Sequence, residues 1–531
     1  MKRCFQLFLL LLFNYNYSQS PDILWQKRYG GSNRNASYSS QQTIDGGYII
    51  GGRSNSNISF DKTENSKGSY DYWLVKTDNL GIIEWDKTIG ASSPFNEQDI
   101  FFKIKQTPDN GFIICGYSDS PLSGDKSEEV IGGTDFWIVK TDGFGTIQWD
   151  NTIGGTSHEV PYALELTTDG GYIIGGSSSS DISGDKSEIN FGSQDYWIVK
   201  LNSLGIVEWN KTYGGSSIDI ITALVNTDDG GYLIGGNSSS NISGNKSENS
   251  RGLGDFWILK IDGIGNIIWQ KTIGASESEH LSQIINTNDG FLLTGYSNSN
   301  ISGEKTENSR GIRDYWIVKI NNLGEVLWDK TIGGNNDDIL LSALQSNDGG
   351  YMLSGSSDSN ISGEKDEPNI GETDAWLVKT NNIGNIIWQK TIGGNYGDGI
   401  NSINENNDGG YFLSGVTSST ISGSITESPK GLSDYWVVKL APDILSSTEA
   451  NTNQDVIIYP NPNNGTFNIK FKDKSLIKTI SIFSAIGQLI YQESLIDDLN
   501  KTINFEGSTG IYFLKIETEQ NKSTTYKILK K

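Results

Sequence analysis

Cysteine, histidine and methionine are nearly absent from this sequence, which has two of each among 531 residues and only 10 prolines. The cysteines, Cys4 and Cys115, are too few to form the disulfide framework of a small secreted scaffold. The histidines, His158 and His280, have no partner at zinc-ligand spacing, which excludes the common zinc motifs. No apolar run reaches the length of a membrane-spanning helix. The chain must therefore be stabilised by a hydrophobic core.

Residues 1–18 predict a cleaved secretion signal peptide. Lys2 and Arg3 give a positive start, and residues 5–13 form an apolar run too short to cross a bilayer. Cys4 lies in this segment, so the mature chain keeps Cys115 alone and has no disulfide of its own. We expect a secreted protein without a transmembrane segment in the mature chain.

The chain is acidic, with 64 acidic against 41 basic residues. The acid excess lies before Asp443, because charges are balanced from there to the C terminus. Such a surface repels nucleic acid and anionic membranes and favours cations or basic partners. The 63 glycines and 11% aromatic residues are typical of many short strands joined by turns. We predict an all-β protein that does not bind nucleic acid.

A tryptophan-centred unit is repeated along the chain at spacings of 59 to 64 residues. The first tryptophans of the units are Trp73, Trp137, Trp197, Trp257, Trp316, Trp376 and Trp436. In six units a second tryptophan follows 12 residues later, but the last unit has Thr448 there. The missing partner is at the other end of the chain, where Trp25 lies in a copy of the second half-unit.

Each unit contains two hairpins, which predicts four antiparallel strands and one propeller blade. A seven-bladed β-propeller over residues 21–443 follows. The segment around Trp25 is expected to complete the last blade as its outer strand, beside residues 434–440, because this pairing removes the free edge.

A long polar loop joins the second and third strands of every unit, so all seven long loops crown one face. Their glutamates are Glu64, Glu128, Glu188, Glu248, Glu307, Glu367 and Glu427. A solvated acidic rim and a set of Ca²⁺ ligands are the two interpretations left open. The candidate Ca²⁺ ligands are Asp125, Asp181, Asp185, Glu188, Glu304 and Glu364.

No catalytic constellation is evident, so we predict a protein that is not an enzyme. An Asp before each aromatic pair and a Lys five residues later recur in every unit, which indicates backbone pairing and a strand-end charge. If there is a unique site, His158 and His280 with their neighbours Glu159 and Glu279 are its candidates. Cys115 occupies a position that holds small residues in the other units, so we interpret it as a packing residue.

After a polar linker at residues 444–455 the repeat ends, and alternating strands predict a small Ig-like β-sandwich at 456–531. This tail resembles the type A sorting domain of the type IX secretion system. The resemblance rests on Tyr459, Pro460, Asn461, Pro462, Gly465, Gly510, Tyr512, Lys530 and Lys531, which form the candidate sorting signal.

The resemblance implies export across the outer membrane by the type IX machinery, removal of the tail by its sorting peptidase, and a secreted or surface-attached product. The repeats are also similar to tryptophan-rich arrays found ahead of such tails, a family without an assigned reaction.

The expected function is therefore non-catalytic binding or adhesion, with polysaccharide or a basic protein as partner. Two alternatives stay open: a glycan-acting hydrolase or lyase, which would need a site that breaks the sevenfold regularity, and a structural surface component. Blade two, with residues 95–105 and Cys115, is the most irregular unit.

Overall fold

The computed structural model describes residues 20–92, 98–443, 456–459, 463–471, 477–484, 488–496, 500–508, 510–518 and 523–530. Contacts divide the chain after Asp443 into two compact units. Within the described residues there is no helix whose length and apolar character would let it cross a membrane. The expected signal peptide and linker lie outside the described residues.

The first unit contains seven four-stranded antiparallel sheets, each with its strands in up-and-down order. Blade one contains β2 (Asn35–Gln42), β3 (Tyr48–Ser54), β4 (Asp71–Thr77) and β5 (Ile83–Ile89), and blade two contains β6 (Asp99–Gln106), β7 (Phe112–Ser118), β8 (Asp135–Thr141) and β9 (Ile147–Ile153). Blade three contains β10 (Glu159–Leu166), β11 (Tyr172–Ser178), β12 (Asp195–Leu201) and β13 (Val207–Tyr213), and blade four contains β14 (Asp219–Asn226), β15 (Tyr232–Ser238), β16 (Asp255–Ile261) and β17 (Ile267–Ile273).

Blade five contains β18 (Glu279–Thr287), β19 (Gly290–Ser297), β20 (Asp314–Ile320) and β21 (Val326–Ile332), and blade six contains β22 (Asp338–Gln345), β23 (Tyr351–Ser357), β24 (Asp374–Thr380) and β25 (Ile386–Ile392). Blade seven contains β26 (Asp398–Glu405), β27 (Tyr411–Thr417), β28 (Asp434–Leu440) and β1 (Ile23–Tyr29). The outer strand of blade seven is β1, which pairs with β28 and brings Lys27 opposite Val437. The seven-bladed propeller and its closure by an N-terminal strand are confirmed.

The second unit is a sandwich of two sheets. Its strands are β29 (Val456–Tyr459), β30 (Thr466–Phe471), β31 (Ile477–Ser484), β32 (Leu489–Ile496), β33 (Asn500–Asn504), β34 (Gly510–Thr518) and β35 (Ser523–Lys530). One sheet has the order β29-β30-β33 and the other β32-β31-β34-β35. Phe467 of the first sheet and Ile480 and Leu514 of the second share one buried core.

The third strand of every blade is buried along its whole length, because a neighbouring blade covers each of its faces. At six of the seven blade junctions its tryptophan packs on the Tyr or Phe before the tryptophan of the preceding blade, with ring centres 4.7 to 5.0 Å apart. Tyr196 and Trp257 are one such pair, at 4.9 Å. These aromatic contacts join the blades into a ring.

The repeated Asp at the start of the third strand accepts backbone hydrogen bonds from the end of the long loop. Asp255, for example, accepts from the amides of Arg251 and Gly252. The same arrangement is found at Asp71, Asp135, Asp195, Asp314, Asp374 and Asp434. The predicted pairing with backbone donors is therefore found in all seven blades.

The repeated Lys is a buried residue rather than a simple strand-end charge. Lys260 reaches Asp229 in the Asp-Gly-Gly turn between the first two strands, at 2.6 Å, and this contact lowers the pKa of Asp229 to about 2. Equivalent ion pairs of 2.6 to 2.9 Å occur in every blade. The Lys therefore fixes the inner hairpin of each blade to its third strand.

The closing blade has its buried cation in a different place. In the other six blades a loop lysine such as Lys365 is buried beside the third strand, and it reaches Thr391 on the outer strand at 2.7 Å. In blade seven the loop position holds Ile425, and the outer-strand position holds Arg28. Arg28 is 1% exposed and bonds Asp434 at 2.8 Å. A charged contact between the two ends of the propeller thus replaces the contact between loop and outer strand.

Exchanging these residues tests the closure. We expect Arg28→Thr to lower the free energy of unfolding by about 3–5 kcal/mol, because it leaves Asp434 buried without its cation. The double variant Arg28→Thr/Ile425→Lys restores the pattern of the other blades and should recover most of this loss. Lys27→Thr, which removes only the exposed pair with Glu427, should cost less than about 1 kcal/mol. Urea unfolding measures all three, and a double variant no more stable than the single one would contradict the account.

Buried carboxyl groups also meet at the blade junctions. At six junctions the Asp that starts a third strand lies near the acid that starts the next inner strand, as Asp71 does with Asp99. Burial raises the pKa of Asp99 and Asp195 to about 7 and that of Asp135 and Asp338 to about 6. The seventh junction holds Asn35 in place of the acid.

The propeller should therefore be more stable in weak acid than at neutral pH. A raised carboxyl pKa means that the folded chain keeps protons that the unfolded chain loses above about pH 4, so stability decreases as pH rises from about 5 to 7.5. We expect the melting temperature to fall over this range. The seventh junction has an asparagine, Asn35, at the position of Asp99. Asp99→Asn should therefore make the decrease in melting temperature smaller. A melting temperature that rises between these pH values would contradict the assignment.

Candidate functional site

The seven loop glutamates join the long loops to the outer strands of their blades. The long loops and the links between blades define one face of the propeller, the loop face. On it Glu188 accepts the amide hydrogen of Thr212 at 2.7 Å and pairs with Lys211 at 2.7 Å. The other six glutamates accept the equivalent amide of their own outer strand. Each loop is thus fastened to the edge of its blade by a partly exposed carboxylate.

The candidate Ca²⁺ ligands also have protein partners. The side chains of Asp125, Asp185, Glu304 and Glu364 accept the amides of Gly90, Gly154, Gly274 and Gly333 in the preceding blade. Glu304 and Glu364 also pair with Arg251 and Arg310, and Asp125 pairs with Lys67. Asp181 accepts the amide of Asn190 at 3.3 Å. Across the described ranges no three acidic, Cys or His side chains come together as a metal site.

The residues proposed for a unique catalytic site are separated by the structure. His158 and His280 are exposed on the loop face, whereas Glu159 and Glu279 are fully buried at blade junctions. Glu279 accepts hydrogen bonds from the Ala275 amide and from serine hydroxyls. Neighbouring residues of a strand point to opposite sides, so these glutamates cannot assist the histidines.

Cys115 is a free thiol, fully buried in the core. Burial raises the pKa of this thiol to about 12, so it stays protonated at neutral pH and is a poor nucleophile. Its expected packing role agrees with this environment.

An aromatic cluster breaks the sevenfold regularity on the loop face, at blades one to three. Tyr38, Phe102 and Tyr162 occupy the same repeat position, where a bulge in the inner strand adds one residue. Phe102 contacts Tyr162 edge to face at 5.2 Å and Tyr117 at 6.0 Å. All four rings are partly exposed. With Arg53 they form a surface that we call the aromatic platform.

Arg53 extends the aromatic platform by contacts with two rings. Its guanidinium lies 4.8 Å from the ring centre of Tyr70 and 5.5 Å from that of Tyr38. Burial is the main cause that raises the pKa of Tyr38, and Arg53 opposes it. The Tyr38 phenol therefore stays neutral, and the surface combines flat apolar rings with hydroxyl and guanidinium groups.

Blade five has a smaller cluster of its own. His280 stacks on Tyr296 with ring centres 4.9 Å apart, and Arg313 lies 5.6 Å from the centre of the Tyr296 ring. Partial desolvation of the stacked ring, and after it the charge of Arg313, lowers the pKa of His280. Arg313 also pairs with Asp337 at 2.8 Å. The carboxylate in this cluster, that of Asp337, is therefore engaged with Arg313.

Sequence reasoning singled out blade two as irregular but missed the aromatic platform. The signal was present at one repeat position, where Thr222, Ser282, Leu341 and Asn401 stand in the other blades. The side chains meet only because three inner strands lie next to one another around the ring.

In the second unit, three residues of the predicted sorting signal, Gly465, Tyr512 and Lys530, support the fold. The Tyr512 hydroxyl donates to the Ser508 carbonyl at 2.7 Å, and its ring packs on Phe505 at 4.8 Å. Lys530 donates to the Phe505 carbonyl at 3.3 Å. Gly465 has a φ of 94°, a conformation that favours glycine. Pro460, Asn461, Pro462 and Lys531 lie outside the described residues.

One curated protein and two solved structures are similar to parts of this chain. A stretch of 206 residues is 21% identical to the regulatory protein FlaEY of Caulobacter vibrioides. The aligned stretch covers 37% of this chain and 22% of FlaEY. Two variants of the apocarotenoid oxygenase of Synechocystis share 9% and 10% identity, with TM-scores of 0.39 and 0.36. They cover 76% and 80% of this chain and 89% and 95% of theirs. The propeller assignment rests on the strand pairing described above.

The tail gives the most specific comparison. Residues 457–531 match the model of the secretion system C-terminal sorting domain. This agrees with the sandwich and with the motif residues that stabilise it. Residues 457–531 of the chain therefore belong to the secretion system C-terminal sorting domain family, which directs the protein through the type IX secretion system to the cell surface or the extracellular space.

Proposed function

We propose that the exported propeller is a non-catalytic binding protein that holds a polysaccharide on its loop face. The observation that carries the proposal is the aromatic platform, in which Tyr38, Phe102, Tyr117 and Tyr162 present partly exposed rings beside Arg53. Flat rings with polar edges supply contact area at low entropic cost and are typical of binding surfaces.

The charges of the propeller favour binding over hydrolysis. A glycoside hydrolase needs two carboxyl groups that face the scissile bond across an open site. On this loop face the recurrent acids are engaged in the fold: Glu188 holds an outer strand, Asp185 holds the preceding blade, and Glu279 is buried at a junction. The aromatic platform itself offers rings for stacking, and phenol hydroxyls and the Arg53 guanidinium for hydrogen bonding.

Multivalency is a second argument for a polymeric ligand. A sugar chain that crosses the aromatic platform can also contact the Tyr296, His280 and Arg313 cluster, which lies on the same loop face in blade five. Two weak contacts on one chain raise the overall affinity because the second is intramolecular. Surface attachment and the ability to retain extracellular polysaccharide are the expected consequences.

Binding is tested by passing the full chain over immobilised polysaccharides while measuring both retention and soluble product. We expect retention without product. The double variant Phe102→Thr/Tyr162→Thr introduces the residue that blade four has at this position, and it should weaken binding about tenfold or more, because each lost stacking contact is worth about 1 kcal/mol. Phe144→Ser removes an aromatic ring that is 75% exposed on the opposite face and should have no effect.

Release of soluble product would instead support the hydrolase or lyase alternative. Equal retention of the wild type and the double variant would show that the aromatic platform is not the site. Retention on a basic protein alone would favour the other partner predicted from the acidic charge. Repeating the assay with a chelator tests the Ca²⁺ prediction, which requires that binding be lost.

The sorting tail makes a separate prediction. We propose that the type IX sorting peptidase removes residues 457–531 during export. In a bacterium with this machinery the full chain should reach the surface or medium, and its mass there should be smaller by the tail. A chain that ends at Asp443 should stay inside the outer membrane, because the tail is what the machinery binds. Appearance outside the cell of the chain that ends at Asp443 would contradict the role of the tail in export. An exported product that keeps its tail would contradict removal of the tail by the peptidase.

A further inference from the structure

The channel through the propeller contains a cavity of about 350 Å³. The inner strands of all seven blades contribute to its wall, which is mostly Ser, Asn, Gln, Ala and Leu. Lys103 and Lys105 of blade two are the two basic residues of this wall. They break the sevenfold pattern, since the other blades have no basic side chain at either position among the lining residues.

In four of the seven blades the residue at the Lys103 position accepts a hydrogen bond from the next blade, whereas blades three and four have Ala163 and Ala223 there. In blade five the Gln283 side-chain oxygen accepts the amide hydrogen of Ala343, at 3.0 Å. The Ser342 hydroxyl does the same for Ile403 at 3.3 Å. Ser39 and Ser402 make equivalent contacts with the next inner strand. Four blades thus place an oxygen acceptor where blade two places an amine.

In blade two, Lys103 places a hydrogen-bond donor where these four blades place an acceptor. The amide that corresponds to Ala343 in blade three is that of Leu164, and an ammonium group cannot accept its hydrogen. Among the described residues no hydrogen bond is found for the Lys103 ammonium, and Glu165 is the carboxylate that interacts with it electrostatically. The nearby Glu165 is paired with Lys105 at 2.6 Å. The Lys103 ammonium therefore lies in the same stretch of cavity wall as Leu164, next to the ion pair of Lys105 and Glu165.

We propose that the channel binds one small carboxylate anion between the Lys103 ammonium and the Leu164 amide. A carboxylate has two oxygens, so it can accept from both donors at once. The cavity volume corresponds to about ten water molecules, which suits a carboxylate of a few carbon atoms and its hydration waters. Burial lowers the pKa of Lys103, and a bound anion would favour its charged form. This site is independent of polysaccharide binding at the loop face.

Thermal unfolding of the full chain tests the site, with sodium acetate as the probe and sodium chloride at equal ionic strength as the reference. We expect acetate to raise the melting temperature of the wild type by about 1–2 °C, because a ligand that binds only the folded state stabilises it. Lys103→Gln should fold and should lose this shift, since Gln283 shows that glutamine is accommodated at the position. Lys105→Gln is the matched control and should keep the shift.

Three results would overturn the proposal. The wild type could melt at the same temperature in acetate and chloride, or Lys103→Gln could keep the full shift. Loss of the shift in Lys105→Gln as well as in Lys103→Gln would show a general charge effect rather than a site. Circular dichroism at low temperature confirms that each variant is folded before it is compared.

Discussion

The pairing of β1 with β28 is the constraint on which the rest of the propeller depends. A blade is apolar on both faces, so a row of seven blades is stable only when the last covers the first. Here the covering blade is assembled from both ends of the unit, and Arg28 joins them by its bond to the buried Asp434. Because the third strands, the loops and the channel all take their positions from the closed ring, a local contact at one blade maintains the geometry of the other six.

Sevenfold repetition also separates structure from function. Groups that recur in every blade have the same structural task each time: Asp255 holds a loop, Lys260 a turn, and Glu188 an outer strand. Side chains that are not repeated in every blade do not have these structural tasks and can bind a ligand instead. The aromatic platform and Lys103 both depart from it, and both involve blade two, where the wall of the ring changes from small polar residues to large or basic ones. The two proposed sites therefore lie where the repeat is least regular.

Much of the fold could be predicted from the sequence because its signals are periodic. The two tryptophans of a unit, such as Trp73 and Trp85, fix the number of blades, and the displaced Trp25 predicts the closure. The site was harder to predict, because Tyr38, Phe102 and Tyr162 are some 60 residues apart and meet only in the closed ring. The hydrogen bonds of the loop acids could not be predicted for another reason: composition cannot distinguish a fully solvated carboxylate from one that accepts a backbone amide, as Glu188 does.

Hydrogen–deuterium exchange of the full chain tests the closed ring most directly. If β1 is the outer strand of blade seven, the amides of Ile23–Tyr29 that pair with β28 should exchange as slowly as those of the equivalent outer strands β5 and β9. The account predicts this protection although β1 is far in sequence from its partner. Rapid exchange throughout Ile23–Tyr29, at rates typical of an unpaired terminal segment, would contradict closure by the N-terminal strand.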